Sequence, residues 1–266
     1  MQAICYRLRI MTFTSDPRFP VAVAASPNHG ERRGSARANM IVLHYTGMTS
    51  ADAALERLCS AGAEVSAHYF IHEDGRIIQS VPESRRAWHA GASLWEGIAD
   101  NNSRSIGIEI ANPGHEHGYP DFPARQIEAA IALCADIVAR LDIRANRILG
   151  HSDIAPLRKQ DPGEKFPWGL LHARGVGHWV PPTPLELDGP SFGPGDTGPA
   201  VASLQEALLA YGYGIDVTGA FDATTGAIVR AFQQHFRQPK VDGIADPSTC
   251  DTLRRLLTTR DNRLSL

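Results

Sequence analysis

Two rhythms of apolar and polar residues run through this chain. Met40-Ile41-Val42-Leu43-His44-Tyr45-Thr46-Gly47 is a nearly unbroken apolar run that reads as a buried strand ending in a turn. Ser105-Ile106-Gly107-Ile108-Glu109-Ile110-Ala111 reads the same way. Ala67 to Ile71 and Arg76 to Val81 alternate around Glu73-Asp74-Gly75, which predicts a hairpin. Arg147-Ile148-Leu149 is a further short strand end. A helical rhythm begins where Thr49 or Ser50 can cap a segment carrying Ala53, Leu55, Leu58 and Cys59 and stopping at Gly62. It is clearest after Pro123, where Ile127, Ile131, Cys134, Val138 and Leu141 form one stripe. Between the hairpin and the Ser105 strand, from Arg85 to Ser93, the pattern is irregular. Strands and helices mixed in this order predict an α/β fold, a mixed central β-sheet flanked by helices.

From Phe166 to Gly195 the rhythm breaks. Pro167, Pro181, Pro182, Pro184, Pro190 and Pro194 exclude long regular elements, so this stretch reads as a wrap-around tail and linker. His172 and His178 within it are expected at the surface. Past Gly195 three helical stripes follow: Val201, Leu204, Leu208 and Tyr211, ended by Gly212; then Ile228, Val229, Phe232 and Phe236, led in by Asp222 and Thr224; then Cys250, Leu253 and Leu257 behind Asp246-Pro247. The expected organisation is a first domain over 18–180, a Pro-rich linker over 181–195 and a small three-helix domain over 196–260, the two domains being separable at the linker.

Composition narrows the function classes. A formal charge of -3 over 266 residues gives no electrostatic reason to expect nucleic acid or an anionic membrane surface. No apolar run approaches the ~18 residues of a membrane span, so membrane insertion is not expected. The four cysteines, at 5, 59, 134 and 250, are far apart and read as scattered free thiols, with Cys134 in the core stripe of its helix. The first residues carry two arginines inside what would be the apolar part of a signal peptide, and Met11 is a second candidate start. A cytoplasmic location is the expectation from that stretch.

Candidate chemistry concentrates in Gly150 to Gly163, GHSDIAPLRKQDPG. His151, Lys159 and Asp161 fall within a few residues of one another, on a loop bounded by Asp161-Pro162-Gly163 after a strand. Two metal-ligand types and a cation on such a loop suit a site better than they suit packing. A tetrahedral zinc would take two corners from His151 and Asp161 and need a third from elsewhere. His44 stands at a strand end, a usual ligand address in an open α/β sheet, although a lone histidine on an apolar strand is more often core. Glu109 in its apolar run either faces water on an edge strand or has a partner or a task, because an unpaired buried carboxylate is costly.

Six segments in order resemble the zinc-dependent N-acetylmuramoyl-L-alanine amidases of the type-2 amidase family, which share a fold with peptidoglycan recognition proteins. They are Ser26-Pro27-Asn28, VLHYTG around His44, SAHYFIHEDGRIIQSVPE from Ser66, AWHAGAS around His89, SIGIEIAN around Glu109, and GHSDIAPLRKQDPG. The resemblance implies one zinc per chain held by His44, His151 and Asp161, with Glu109 and Lys159 as catalytic groups. It implies substrate-binding positions at Tyr45, His68, Trp88, His89 and Asn112. The tail resembles the three-helix peptidoglycan-binding domain of cell-wall enzymes through Gly198, Val201, Leu204-Gln205, Gly212-Tyr213, Gly219-Ala220-Phe221, Phe232-Gln233 and Asp242-Gly243.

The activity so implied is hydrolysis of the amide between N-acetylmuramic acid and L-alanine, with peptidoglycan or a muropeptide as the partner. Whether the sugar must be the 1,6-anhydro form stays open, as does the oligomeric state. A wall-binding tail also draws the expected location toward the periplasm and cell envelope. Two other readings compete: a recognition protein that binds muropeptides without cutting them, and a zinc endopeptidase acting within the stem peptide.

Overall fold

The two apolar runs become the central strands. In the computed structural model, which describes residues 13–34 and 37–262 with side chains to Arg260, Met40–Tyr45 forms β3 and Ser105–Ile110 forms β7, paired in parallel along their whole length. Six strands make the main sheet in the order β1-β5-β4-β7-β3-β8. The others are β1 (Ala22–Val23), β4 (Tyr69–Ile71), β5 (Ile77–Gln79) and β8 (Ile148–Gly150). The expected hairpin is the antiparallel β4–β5 pair, while β4, β7, β3 and β8 are mutually parallel. The sheet is therefore mixed, as the sequence predicts. Cys5 and the alternative start Met11 lie outside the described residues, and Cys59, Cys134 and Cys250 are free thiols.

Both faces of the central strands are covered, so β3 is apolar on both up to His44, while β7 is apolar on one and turns Ser105, Gly107 and Glu109 to the other. Helix α3 (Ala124–Leu141) lays Ile127, Ala130, Leu133, Cys134 and Ile137 against Ile41 and Leu43 of β3 and Ile106, Ile108 and Ile110 of β7. The opposite face has two separate covers. Helix α1 (Ala51–Cys59) packs Ala54 and Leu58 on Phe70 and Ile78. On Met40, Val42 and Leu149 sits instead, past the short α5 (Trp168–Ala173), the C-terminal helical unit, α6 (Pro199–Tyr211), α7 (Ala223–Phe236) and α8 (Pro247–Asn262). By strand alternation His44 and Glu109 belong to this second face.

Four expectations are corrected. Helix α1 is capped by the Ser50 hydroxyl as expected but ends at Cys59, where the Ser60 N–H turns back to the Arg57 carbonyl; Ala61–Ala63 is only a 3-10 turn. The irregular stretch after Pro82 contains β6 (Arg85–Ala87), which pairs antiparallel with β2 (His29–Glu31) in a small second sheet. The Gly150 segment opens with a helical turn, α4 (His151–Ile154), because Asp153 accepts the Gly150 N–H at 2.8 Å and caps it; α2 (Asn101–Arg104) is a similar turn. His178 is buried, bonded to Tyr211 Oη and Thr259 Oγ1 at 2.9 Å each. The helices that cover it belong to a unit that the sequence places across a linker.

The contact of the tail with the sheet extends well beyond His178. One apolar cluster joins Met40, Val42, Trp95 and Leu149 to Leu208, Tyr213, Phe232 and Leu256 of the C-terminal unit. Trp95 is fully buried there, with the Tyr213 ring edge-on at 5.0 Å. The tail is thus docked on the sheet rather than held off it by the Pro-rich segment.

Candidate active site

The carboxyl ends of β3 and β7 lie between the two covers, and a cavity of about 490 Å³ opens there. His44 comes from β3, His151 from the first position of α4 and Asp161 from the loop before the cis Asp161–Pro162 peptide. His44 Nδ1, His151 Nδ1 and Asp161 Oδ2 form a nearly equilateral triangle with sides of 2.9, 3.1 and 3.0 Å. All three residues are buried.

The far nitrogens of the two rings decide what this triangle can be. His151 Nε2 faces the Ala90 carbonyl at 3.1 Å, an acceptor, so Nε2 carries the proton and Nδ1 a bare lone pair. His44 Nε2 donates to His89 Nδ1 at 3.0 Å, and His89 Nε2 donates in turn to Ser105 Oγ at 3.2 Å. Burial, followed by the neighbouring His151, pushes His44 down to about 4, so its ring is neutral. Two lone pairs and an anion at about 3 Å repel unless a cation joins them. Tetrahedral zinc with bonds of about 2.0–2.1 Å sets its ligand atoms about 3.3 Å apart, close to this spacing. The donor set fits a divalent metal, and both histidines have the outer partners that fix the metal-binding tautomer.

Glu109 pairs in register with His44 across β7 and β3. β7 lies between β4 and β3, which rules out a wet sheet edge. The residue lines the cavity, yet Oε2 is buried with no hydrogen-bond partner among the described residues. Burial, then the Asp161 carboxylate, raises its pKa well above the usual value, while Lys159 pulls the other way. Lys159 is an exposed residue at the cavity rim whose charge is felt at both Glu109 and His44.

The other expected residues divide. Tyr45, Trp88 and His89 line the cavity. His68 and Asn112 do not. His68 is fully buried behind it, with Nδ1 accepting the Gly107 N–H and Nε2 donating to the Arg85 carbonyl, and burial pushes it down to about 3. Asn112 spends its side chain on the Pro120 carbonyl and the Gly114 N–H, shaping a loop. His89 both lines the cavity and orients His44. Its ring lies over Gly107, where a Cβ would come within 2.4 Å, so only glycine fits that position of β7.

Residues 34–164 match the family model described as N-acetylmuramoyl-L-alanine amidase, and residues 197–253 match that of a peptidoglycan binding domain. Over 227 residues the chain is 37% identical to the N-acetylmuramoyl-L-alanine amidase AmiD of Escherichia coli, covering 80% of each chain. The chain belongs to this amidase family. It is also 34% identical over 165 residues to the 1,6-anhydro-N-acetylmuramyl-L-alanine amidase AmpD of Enterobacter cloacae, covering 56% of this chain and 86% of that one. Among solved structures it is similar to AmiD from E. coli in complex with the substrate anhydro-N-acetylmuramic acid-L-Ala-D-gamma-Glu-L-Lys, at TM-score 0.73 and 33% identity over 87% of this chain and 98% of that one. Similarity to AmpDh3 from Pseudomonas aeruginosa is at TM-score 0.69 and 30% identity, over 93% of this chain and 99% of that one.

The amidase cavity holds residues that the sequence reading passed over, notably His115 and Glu116. His115 Nε2 donates to the Glu164 carboxylate at 3.1 Å, leaving Nδ1 to accept the Tyr45 hydroxyl at 3.0 Å. Its ring stacks on Tyr119 at 4.0 Å. The signal was present in Pro113-Gly114-His115-Glu116-His117-Gly118, a titratable cluster in a Gly- and Pro-bounded loop just past the carboxyl end of a central strand. Among the described residues, no helix is long and apolar enough to cross a membrane.

Proposed function

We propose that this chain hydrolyses the amide bond between N-acetylmuramic acid and L-alanine, using one zinc held by His44, His151 and Asp161. The observation that carries the proposal is the triangle of three converging ligand atoms with Glu109 beside it in the same cavity. Its AmiD relative is named for this activity, and AmiD is solved in complex with an anhydro-muropeptide as its substrate.

A zinc held there would supply a Lewis acid for the scissile carbonyl and lower the pKa of water toward neutral pH. The chain supplies the rest. Glu109 accepts the proton of the attacking water at its unpaired oxygen and delivers it to the alanine nitrogen as the C–N bond breaks, leaving a lactyl carboxylate and a free amine. Lys159 faces the negative charge that develops on the carbonyl oxygen. His89 and the Ala90 carbonyl keep the two rings aimed. Trp88, Leu58 and Val65 give the cavity an apolar wall, and Tyr45, held by His115, gives it a polar one.

A second cavity of about 230 Å³ shares Arg158, Lys159 and Gln160 with the first and continues along Ala227, Arg230 and Gln234 of α7. This continuity supports a path for a longer substrate across the C-terminal unit.

Mass spectrometry of a digested anhydro-muropeptide tests the function. Release of the lactyl sugar from an intact peptide is expected. No change would leave a recognition protein, and a shortened peptide an endopeptidase. Intact sacculi assayed in parallel bear on the compartment, since preference for polymer goes with the envelope and preference for soluble anhydro-muropeptides with the cytoplasm.

A further inference from the structure

Beneath the metal-ligand loop lies a polar cluster that the reaction does not use. Asp153 is fully buried, two residues after His151 on α4. One donor to its carboxylate is local, the Gly150 N–H at 2.8 Å. The other two come from the C-terminal unit: Tyr213 Oη donates to Oδ1 at 2.7 Å and His235 Nδ1 to Oδ2 at 2.7 Å. His235 is itself buried between the Trp168 ring at 3.7 Å and the Phe236 ring at 3.8 Å. The far end of the same loop is gripped from the same side. Gln238 Nε2 donates to the Glu164 and Phe166 carbonyls at 2.5 and 2.7 Å. Between these two anchorages the chain carries Lys159 and Asp161, and His151 stands two residues before the first of them.

We propose that Tyr213, His235 and Gln238 are positioning residues for the metal-ligand loop, so that the unit matched as a peptidoglycan binding domain is a structural part of the catalytic centre. The inference rests on the proposed zinc site. A carboxylate removed from water must keep its donors. Asp153 deprived of the two tail donors would keep only Gly150, and it would turn toward whatever water or donor it could reach. Gly150 and Asp153 together set the first turn of α4, and that turn aims His151 at Asp161. A shift of a few tenths of an ångström there falls directly on the ligand triangle. Groups that orient ligands in this way typically change metal affinity about 10–100-fold when removed.

The test uses the full chain and reads zinc affinity by competition with a chromophoric chelator, beside thermal unfolding of the zinc-free protein and kcat and KM on an anhydro-muropeptide. Tyr213→Phe deletes one hydroxyl and no packing. His235→Leu deletes the second donor, and His235→Asn returns an N–H where Nδ1 stood. Tyr213→Phe and His235→Leu should each weaken zinc by about 10-fold and lower kcat with KM little changed. His235→Asn should recover most of the zinc affinity. In an Asp153→Asn background Tyr213→Phe should add little, because both act through one group. Unchanged zinc affinity in Tyr213→Phe, with only the melting temperature lowered, overturns the inference and leaves the tail as packing. A wild-type chain that binds no zinc overturns the proposed function and this inference with it, so the two failures are distinguishable.

Discussion

Glu109 stands opposite His44 in the parallel pairing of β7 with β3, and both side chains leave the sheet on the face that α3 does not cover. One strand register therefore brings a histidine of the candidate metal triangle and an unpaired carboxyl to the same cavity. The arrangement costs stability. Glu109 Oε2 is buried without a partner among the described residues, and the histidine beside it has its lone pair turned toward another histidine. Sites that hold such groups trade folding energy for chemistry.

If the triangle is the metal site, one of its corners is enough to lose it. His151→Ala should leave zinc largely absent, whereas wild type should hold about one ion per chain. His89→Ala removes the partner of His44 Nε2 and should weaken zinc by about 10–100-fold without abolishing it. Elemental analysis and chelator competition check both, and full zinc occupancy in His151→Ala would sink the assignment.

Replacing Glu109 by Gln keeps shape and hydrogen bonding but removes the proton acceptor. Turnover should fall by about two orders of magnitude or more while zinc stays bound. Lys159→Ala should lower kcat more than it raises KM, by about 100-fold, if the ammonium meets charge that exists only in the transition state. Steady-state kinetics with metal analysis decides both, and a Glu109→Gln enzyme with most of its rate would return this residue to a structural role.

The same carboxyl gives a pH signature without any turnover. Burial, followed by Asp161, raises the folded-state pKa of Glu109 above its usual 4.5, so the folded chain holds this proton more tightly than the unfolded one. Its contribution to stability is complete below the unfolded pKa and is lost as pH rises through the folded value. Glutamine does not titrate. Zinc-free Glu109→Gln should thus melt near wild type at about pH 4 and increasingly above it as pH rises toward 8. Thermal unfolding in chelator across that range checks this, and a pH-independent gap would mean that Glu109 ionises as freely inside the fold as outside.

Truncation in the Pro-rich segment tests the shared core. A chain ending near residue 185 exposes Met40, Val42, Trp95 and Leu149 and strips Asp153 of two donors. It should be less stable than the full chain, prone to association, and impaired on small muropeptides as well as on polymer. Light scattering and activity on both substrates provide the measurement. A monomeric fragment with full activity on small muropeptides would restore the separable organisation.

Much of this amidase is legible in its sequence alone. The strands around His44 and Glu109, the helix from Pro123 and the three tail stripes announce themselves because local periodicity sets which face a residue can bury. The ligand loop announces itself through residue types that packing has no use for, and the order of six segments carries the family. Other features needed the tertiary structure. Nothing local distinguishes a carboxylate on a central strand from one on an edge, because strand order depends on contacts far apart in sequence. His68 and His89 look alike in the chain, yet one is bonded in the interior and the other steadies His44, as the path of β6 and the room left by Gly107 dictate. Above all, proline-rich composition predicts a segment without long helices or strands but not where its two ends dock. That His178 and Asp153 are buried under the tail follows from long-range apolar burial, which carries no signature in any short stretch of sequence.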